Sequence, residues 1–267
     1  MRLVDEVKPG VIVSVYPQAT EVAARLRRQG RIGVPVIAGI TDVAALDYWA
    51  SPGADLHLLT QPEALDEVRK IAGEHAEVHT VTGFTDPAFY EPRSRSEARD
   101  AVGVSPDATL VIVSGGGWGV GDVQGAMEEA LAVPGTTVVC LTGRNEELRS
   151  QLTAHFGAEP RVRVEGFTEQ MADWLAAADV LVHSTGGLTV LEALLRGCPV
   201  VSYGWGRGHI RKHEEAFRRF GLADVADSRS ELRPAIERAI ARGRVDISGF
   251  EGLPSAASYV LAAADAR

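Results

Sequence analysis

Thr109-Leu110-Val111-Ile112-Val113-Ser114-Gly115-Gly116-Gly117-Trp118-Gly119-Val120-Gly121-Asp122 is the stretch that decides the fold. Its first five residues form a continuous apolar, largely β-branched run of strand length. A helical pattern begins at Val123 and runs over residues 123–132. Between strand and helix lie five glycines in the seven residues 115–121. A strand that passes through such a turn into a helix brings backbone N–H groups and the helix N-terminus, with its partial positive charge of about half an electron, to one point where an anion can sit. Gly115, Gly116, Gly117, Trp118 and Gly119 are therefore candidate ligand contacts; the plain alternative is a tight turn that holds nothing. No register gives Gly-x-Gly-x-x-Gly, and no Gly-Lys-Ser/Thr closes the loop. The next strand, residues 136–142, ends in Gly143-Arg144 rather than in the acid that would hold an NAD ribose. The spacing thus argues against a nicotinamide cofactor and against ATP hydrolysis.

Apolar runs of the same kind recur on both sides of this segment, at residues 11–15, 34–40, 55–59, 78–82, 136–142, 161–165, 180–183 and 199–203. They are continuous rather than alternating, and helical patterns such as 21–29 and 62–72 separate them. Parallel strands covered by helices on both faces are expected, an open α/β architecture. Pro87, Pro92, Pro106 and the charged run 93–99 interrupt the pattern. The expected division is a first domain over 1–88 with only about four strands, a linker over 89–107, a second domain over 108–250 and a C-terminal tail or helix over 251–267.

The 267 residues carry 45% hydrophobic and 24% charged side chains and a formal net charge of -9. That suits a globular protein, and the excess of acid argues against nucleic acid as a partner. No apolar run approaches the roughly 20 residues of a membrane span, and the opening residues lack the apolar stretch of a signal peptide, so a cytoplasmic protein is expected. Cys140 and Cys198 sit in apolar strand contexts and read as buried structural thiols. No Gly-x-Ser-x-Gly elbow supports a hydrolase.

A second phosphate-competent turn follows the run 180–183, where Ser184, Gly186, Gly187, Leu188 and Thr189 open a helix. On that helix Leu188, Leu191, Glu192 and Leu195 share one arc, which half-covers the Glu192 carboxylate. Accepting hydrogen bonds from a ribose diol would account for it; an ion pair with Arg196 at i,i+4 is the alternative. A third polar loop, residues 204–216, follows the run 199–203 and holds His209, Glu214 and Glu215. His209 and His213 stand four apart, but the order is not His-Glu-x-x-His and no third ligand is evident, so no metal is expected. The two glutamates read as acceptors for sugar hydroxyls or as a solvated helix start. Asp42, at the end of the strand 34–40, is a candidate base, or else a loop aspartate that caps the next helix.

Gly115 to Gly121, Val164-Glu165-Gly166-Phe167-Thr168-Glu169-Gln170-Met171, Ala178-Asp179, Ser184 to Glu192 and Glu214-Glu215 occur in an order that resembles one family. They are similar to the C-terminal domain of the glycosyltransferases that make monogalactosyldiacylglycerol and of those that add N-acetylglucosamine to lipid II precursors. Residues 83–89, 11–17 and 40–42 extend the likeness into the first half. The resemblance implies a GT-B-like fold of two Rossmann-like domains with parallel sheets, the first incomplete, because the family's opening glycine-rich loop with its histidine and about three strands have no counterpart before Val11. It implies a UDP-sugar as co-substrate, with no further cofactor. Phe167 and Thr168 would lie against the uracil, Glu192 would hold the ribose, the turn of Gly186, Gly187, Leu188 and Thr189 would take the diphosphate, and Glu214 and Glu215 would contact the hexose. Arg144 and His209 complete the candidate donor contacts.

The activity so implied is inverting, metal-independent transfer of a hexosyl or N-acetylhexosaminyl group to a hydroxyl acceptor, a lipid or glycan precursor, by a protein peripheral to the inner membrane face. Such transfer needs a base for the acceptor proton, for which Asp42 is the candidate, and stabilisation of the departing diphosphate by dipoles and amides. Two other readings carry different partners. One is a donor-binding subunit whose first domain is completed by a second chain. The other is a UDP-sugar epimerase on the same fold.

Overall fold

A computed structural model describes residues 2–73, 76–204 and 209–265, except the side chains of His209 and Ile210. The chain forms two units, Met1–Asp86 with Ser248–Arg267, and Pro87–Ile247.

The first unit runs α1 (Arg2–Val7), β1 (Ile12–Ser14), α2 (Pro17–Arg28), β2 (Val36–Ile40), α3 (Leu46–Trp49), β3 (Leu56–Leu59), α4 (Leu65–Ala72) and β4 (Glu77–Thr80). All pairings are parallel and the strands lie in chain order, β1-β2-β3-β4. Right-handed crossovers between strands placed in sequence put their helices on one face only. On that face α2 packs Ala24 and Leu26 against Val36 and Ala38. The opposite face, Ile37, Leu56, Leu58 and Val81, needs another cover. It is supplied by the last helix of the chain, through Ala256, Tyr259, Val260 and Ala263.

The second unit continues with α5 (Arg95–Val102), β5 (Thr109–Ser114), α6 (Val123–Leu131), β6 (Thr136–Leu141), α7 (Glu146–Phe156), β7 (Val162–Glu165), α8 (Met171–Ala177), β8 (Val180–His183), α9 (Leu188–Leu195), β9 (Val200–Tyr203), α10 (His209–Phe220), β10 (Asp224–Ala226) and α11 (Arg229–Arg242), after which α12 (Ala256–Asp265) returns to the first unit. Its sheet is parallel, in the order β10-β9-β8-β5-β6-β7. Counted from β5 as the first strand this is 3-2-1-4-5-6, the doubly wound order. Helices α6, α7 and α11 close one face around Met127, Leu152 and Ile236, and α5, α8 and α9 pack together over the other.

Two segments depart from the division expected from sequence. Residues 89–107 are not a bare linker: Ser94 and Glu97 form a reciprocal capping box at the start of α5, which belongs to the second unit. Within that helix Arg99, 3% exposed, donates to the carbonyls of Ser105, Ala108 and Ala177 and pairs with Asp179 at 3.0 Å. Of the tail or helix expected over residues 251–267 the helix forms, as α12, but it is part of the first unit: Ala256 N and Thr82 N bond across to Thr82 O and Pro254 O at 2.8 and 2.9 Å, anchoring α12 beside the end of β4. Cys140 and Cys198 are free and buried, and burial pushes both thiols up to about 12.

Candidate functional site

In the second unit β5 and β8 lie side by side, with Ser114 in register with His183. From this pair the chain winds outward in opposite directions, to β6 and to β9, so the turns after β5 and β8 part over the strand ends. This is the topological switch point, where open α/β sheets leave a crevice for ligands.

The β5 turn folds back on itself. Val120 N donates to Gly115 O at 2.8 Å, and a Cβ on Gly115 would come to 2.5 Å from Val120 N and O. The β6–α7 turn buttresses it from the side. Arg144 N donates to Gly117 O at 2.8 Å and Asn145 Nδ2 to Trp118 O at 3.0 Å, while Gly143, at φ +62°, leaves 2.5 Å between a notional Cβ and Gly117 O. Only glycine fits there. Beyond this contact the Arg144 guanidinium lies 4.7 Å from the centroid of the Phe167 ring, a cation–π pair at the mouth of the crevice.

The β8 turn is knitted to the β5 turn from below. The buried ring of His183 bonds Ser114 O through Nδ1 at 2.9 Å and Thr185 Oγ1 through Nε2 at 2.8 Å. Ser184 N donates to Ser114 O at 3.3 Å, and its hydroxyl donates to Val120 O. Burial lowers the pKa of His183 to about 4, with His213 adding to the shift, so the ring is neutral at pH 7. Gly187, at φ +82°, caps α9 without a side chain and leaves the first N–H groups of that helix uncapped. Behind the turn, Tyr203 Oη donates to Asp122 Oδ2 at 2.9 Å, while Asp122 Oδ1 accepts from Gly125 N at the start of α6. Burial first, then Asp122, pushes the tyrosine up to about 12.

Between the turns lies a cavity of about 200 Å³, lined by Ser114, Gly116, Gly117, Leu141, Gly143, Gly166, Phe167, Thr168, Met171, Thr189 and Glu192. Six of the residues expected from sequence thus share one wall: Gly116, Gly117, Phe167, Thr168, Thr189 and Glu192. Other residues expected from sequence serve the frame. Gly115 and Gly119 allow the tight turn, Ser184 ties it down, and Gly186 makes room for the His213 ring. Trp118 stands 68% exposed at the tip of the loop. Leu188, half-buried, begins α9.

Arg196 does not turn to Glu192. It donates to the carbonyls of Ala88 and Glu91, the latter at 2.6 Å. The two glutamates of α10, expected to act together, point apart because successive helical residues diverge by about 100°. Glu214 is 2% exposed and burial raises its pKa, whereas Glu215 is exposed and pairs with Arg211 at 3.5 Å. The side chain of His209 lies outside the described residues. Asp42 belongs to the first unit, where its Oδ1 accepts from Ala44 N at 3.0 Å and holds the turn before α3. Among the described residues there is no group of three or more His, Cys, Asp or Glu that could hold a metal, and no helix long and apolar enough to cross a membrane. His183, Thr185 and Met171 lie within the segments singled out from sequence, but the sequence assigns them no role of their own. Their signal is the contact between β5 and β8, which spans 69 residues for His183 and Ser114.

Comparison with known proteins agrees with this fold. Residues 1–85 match the family model of monogalactosyldiacylglycerol synthase, and residues 119–242 match that of the glycosyl transferases group 1. Among curated proteins, the processive diacylglycerol beta-glucosyltransferase of Staphylococcus epidermidis is 26% identical over 237 residues, 86% of this chain and 59% of the relative. The Staphylococcus carnosus enzyme of the same name is 24% identical over the same shares of the two chains. The chain therefore spans about three-fifths of the length of these relatives. Among solved structures, MurG of Acinetobacter baumannii superposes with a TM-score of 0.60 at 15% identity, over 90% of this chain and 70% of its own. UGT89C1 of Arabidopsis thaliana, solved in complex with UDP, gives 0.58 at 12% identity, over 86% and 64%. The chain thus has a GT-B fold, its first part similar to monogalactosyldiacylglycerol synthase and its second to the group 1 glycosyl transferases.

Proposed function

We propose that the second unit binds a UDP-sugar in the crevice between the β5 and β8 turns, and that the protein transfers the hexosyl or N-acetylhexosaminyl group to a hydroxyl of a lipid acceptor. The observation that carries this reading is the single cavity that combines an aromatic ring, Phe167, a carboxylate, Glu192, and glycine backbone from Gly116 and Gly117 at a switch point. In this reading the uracil rests against Phe167 and Thr168, and Glu192 accepts from the ribose hydroxyls. The diphosphate meets the β5 glycines and the uncapped N-terminus of α9, where each favourable dipole contributes about 0.3–1 kcal/mol. The relatives named as diacylglycerol glucosyltransferases support the lipid acceptor, and the neighbour solved with UDP supports the donor.

In this reading backbone amides and the α9 dipole stabilise the departing UDP without a metal, and the acceptor oxygen displaces it from the opposite face of the anomeric carbon, which inverts that centre. Asp42 is the residue we assign to receive the acceptor proton. The curated relatives have longer chains, and in this reading the protein meets its lipid acceptor at the membrane surface.

Calorimetric titration with UDP in the presence of EDTA, with NAD as the control ligand, tests the donor site. Micromolar binding of UDP alone is expected. Absence of binding, or binding that returns only with a divalent metal, would overturn the reading.

A further inference from the structure

The hydrogen bonds of His183 dictate what Thr185 can offer a ligand. Ser114 O is a carbonyl and only accepts, so the proton on the imidazole sits at Nδ1, 2.9 Å away. The ring is fully enclosed and neutral, as its pKa of about 4 requires, and Nε2 is then a bare lone pair. Thr185 Oγ1, 2.8 Å from Nε2, must be the donor in that contact. Its one proton is committed inward. What remains on the oxygen is acceptor capacity alone, beside a cavity wall: a Cβ on Gly116 would lie 3.4 Å from Thr185 Oγ1, and Gly116 lines the cavity.

A phosphate oxygen at neutral pH also only accepts, so lone pairs would meet lone pairs if the diphosphate lay against this hydroxyl. A sugar hydroxyl has a proton to give. We infer that Thr185 is a specificity-determining contact that reads a hydroxyl of the donor's hexosyl ring, held in acceptor-only form by His183 as its positioning residue. The diphosphate is left to the N–H groups of the glycine turn and of α9, which are donors only. The assignment rests on the UDP-sugar reading of the cavity, and it adds a prediction that this reading does not make: removal of the Thr185 oxygen separates affinity for the sugar nucleotide from affinity for UDP.

The test pairs calorimetry with nitrogen-15 NMR of the full chain. UDP, UDP-glucose and UDP-galactose are titrated into the wild type, Thr185→Val and Thr185→Ser. Thr185→Val preserves shape and removes the oxygen; Thr185→Ser keeps it. For whichever sugar nucleotide the wild type binds more tightly, Thr185→Val is expected to weaken binding about tenfold while UDP changes less than about twofold, and Thr185→Ser to stay within about threefold of wild type for both. The NMR spectrum at pH 7 is expected to show His183 protonated at Nδ1 and bare at Nε2. Equal weakening of UDP and sugar nucleotide would make Thr185 a phosphate contact and overturn the assignment; so would unchanged binding of both, or a His183 proton on Nε2. A wild type that binds neither UDP nor sugar nucleotide would overturn the donor-site reading itself, and the assignment with it.

Discussion

Gly186 lies directly under the imidazole of His213: a Cβ on Gly186 would come to 2.5 Å from the His213 Cε1 and overlap the rest of the ring. The ring has little freedom to withdraw. His213 is 6% exposed and its neighbour on the helix face, Phe217, is 1% exposed, with the two ring centroids 5.9 Å apart. The β8 turn, which carries the N-terminus of α9, is thereby set by a side chain from α10.

Gly186→Ala is expected to force that turn and α10 apart, at a cost of about 1–3 kcal/mol, typical of overpacking. In a unit of this size each kcal/mol lowers the melting temperature by about 2–4 °C. UDP affinity should fall about tenfold with it, since the α9 N-terminus moves. Adding His213→Ala opens the space again, so the double variant should recover much of the loss. Additive losses in the two variants, measured by thermal melts, would show that the two residues do not constrain each other.

Glu192→Ala should weaken UDP binding about tenfold, the scale of one or two lost hydrogen bonds. Arg196 bonds Ala88 O and Glu91 O, so loss of Glu192 leaves its NH1 and NH2 contacts in place. Titration with UDP and with free diphosphate distinguishes the role: a ribose contact affects the first and not the second.

Arg99 fastens α5 to the bottom of the second sheet through four main-chain carbonyls at 2.5–3.1 Å and through Asp179, whose Oδ2 also accepts from Leu110 N at 2.8 Å. Removal of one partner from a buried charged network costs about 3–5 kcal/mol. Arg99→Ala should therefore lower the denaturant midpoint strongly. Arg99→Lys should recover little, because a single ammonium cannot reach carbonyls on several sides. A lysine variant as stable as wild type would show that charge alone matters here.

His183 makes stability depend on pH. Its folded pKa, about 4, lies below the ordinary value of 6.5, so between these limits the unfolded chain binds the extra proton more readily. The contribution is complete above about pH 6.5 and is lost as the pH falls towards 4, by about 3 kcal/mol over the window. Denaturation midpoints measured from pH 7 to pH 4.5 should fall more steeply for the wild type than for His183→Gln. Identical slopes would mean that His183 takes up its proton without unfolding the site.

Much of the architecture is legible in the sequence because parallel strands buried on both faces must be continuously apolar, as residues 110–113 and 138–141 are. The edge strand β10 is not: Asp224-Val225-Ala226 has one buried residue and no run to detect. The capping box that begins α5, Ser94-x-x-Glu97, could have been read directly. The candidate site was legible where chemistry follows locally from a turn, as for Gly116, Gly117, Thr189 and Glu192. It was illegible where it depends on strand order. Nothing local brings His183 to Ser114 or Arg144 to Phe167, and the burial of Glu214 beside an exposed Glu215 follows from how α10 seats on the sheet.

The C-terminal helix offers a way to separate the two units. Ala256, Tyr259, Val260 and Ala263 recur at helical spacing and cover Ile37, Leu56, Leu58 and Val81, and Tyr259 stacks on His79 with centroids 4.5 Å apart. Deleting residues 251–267 would bare this face, and re-exposing several buried aliphatic side chains at about 1.5–3 kcal/mol each approaches the whole stability of a small domain. The first unit should then lose its cooperative melting transition. The core of the second unit contains none of these residues. UDP affinity in the truncated chain should accordingly stay within about threefold of wild type, and Tyr259→Ala should lower only the first unit's transition. Loss of UDP binding together with that transition, by calorimetry on the truncated chain, would show that the donor crevice depends on the first unit for its form.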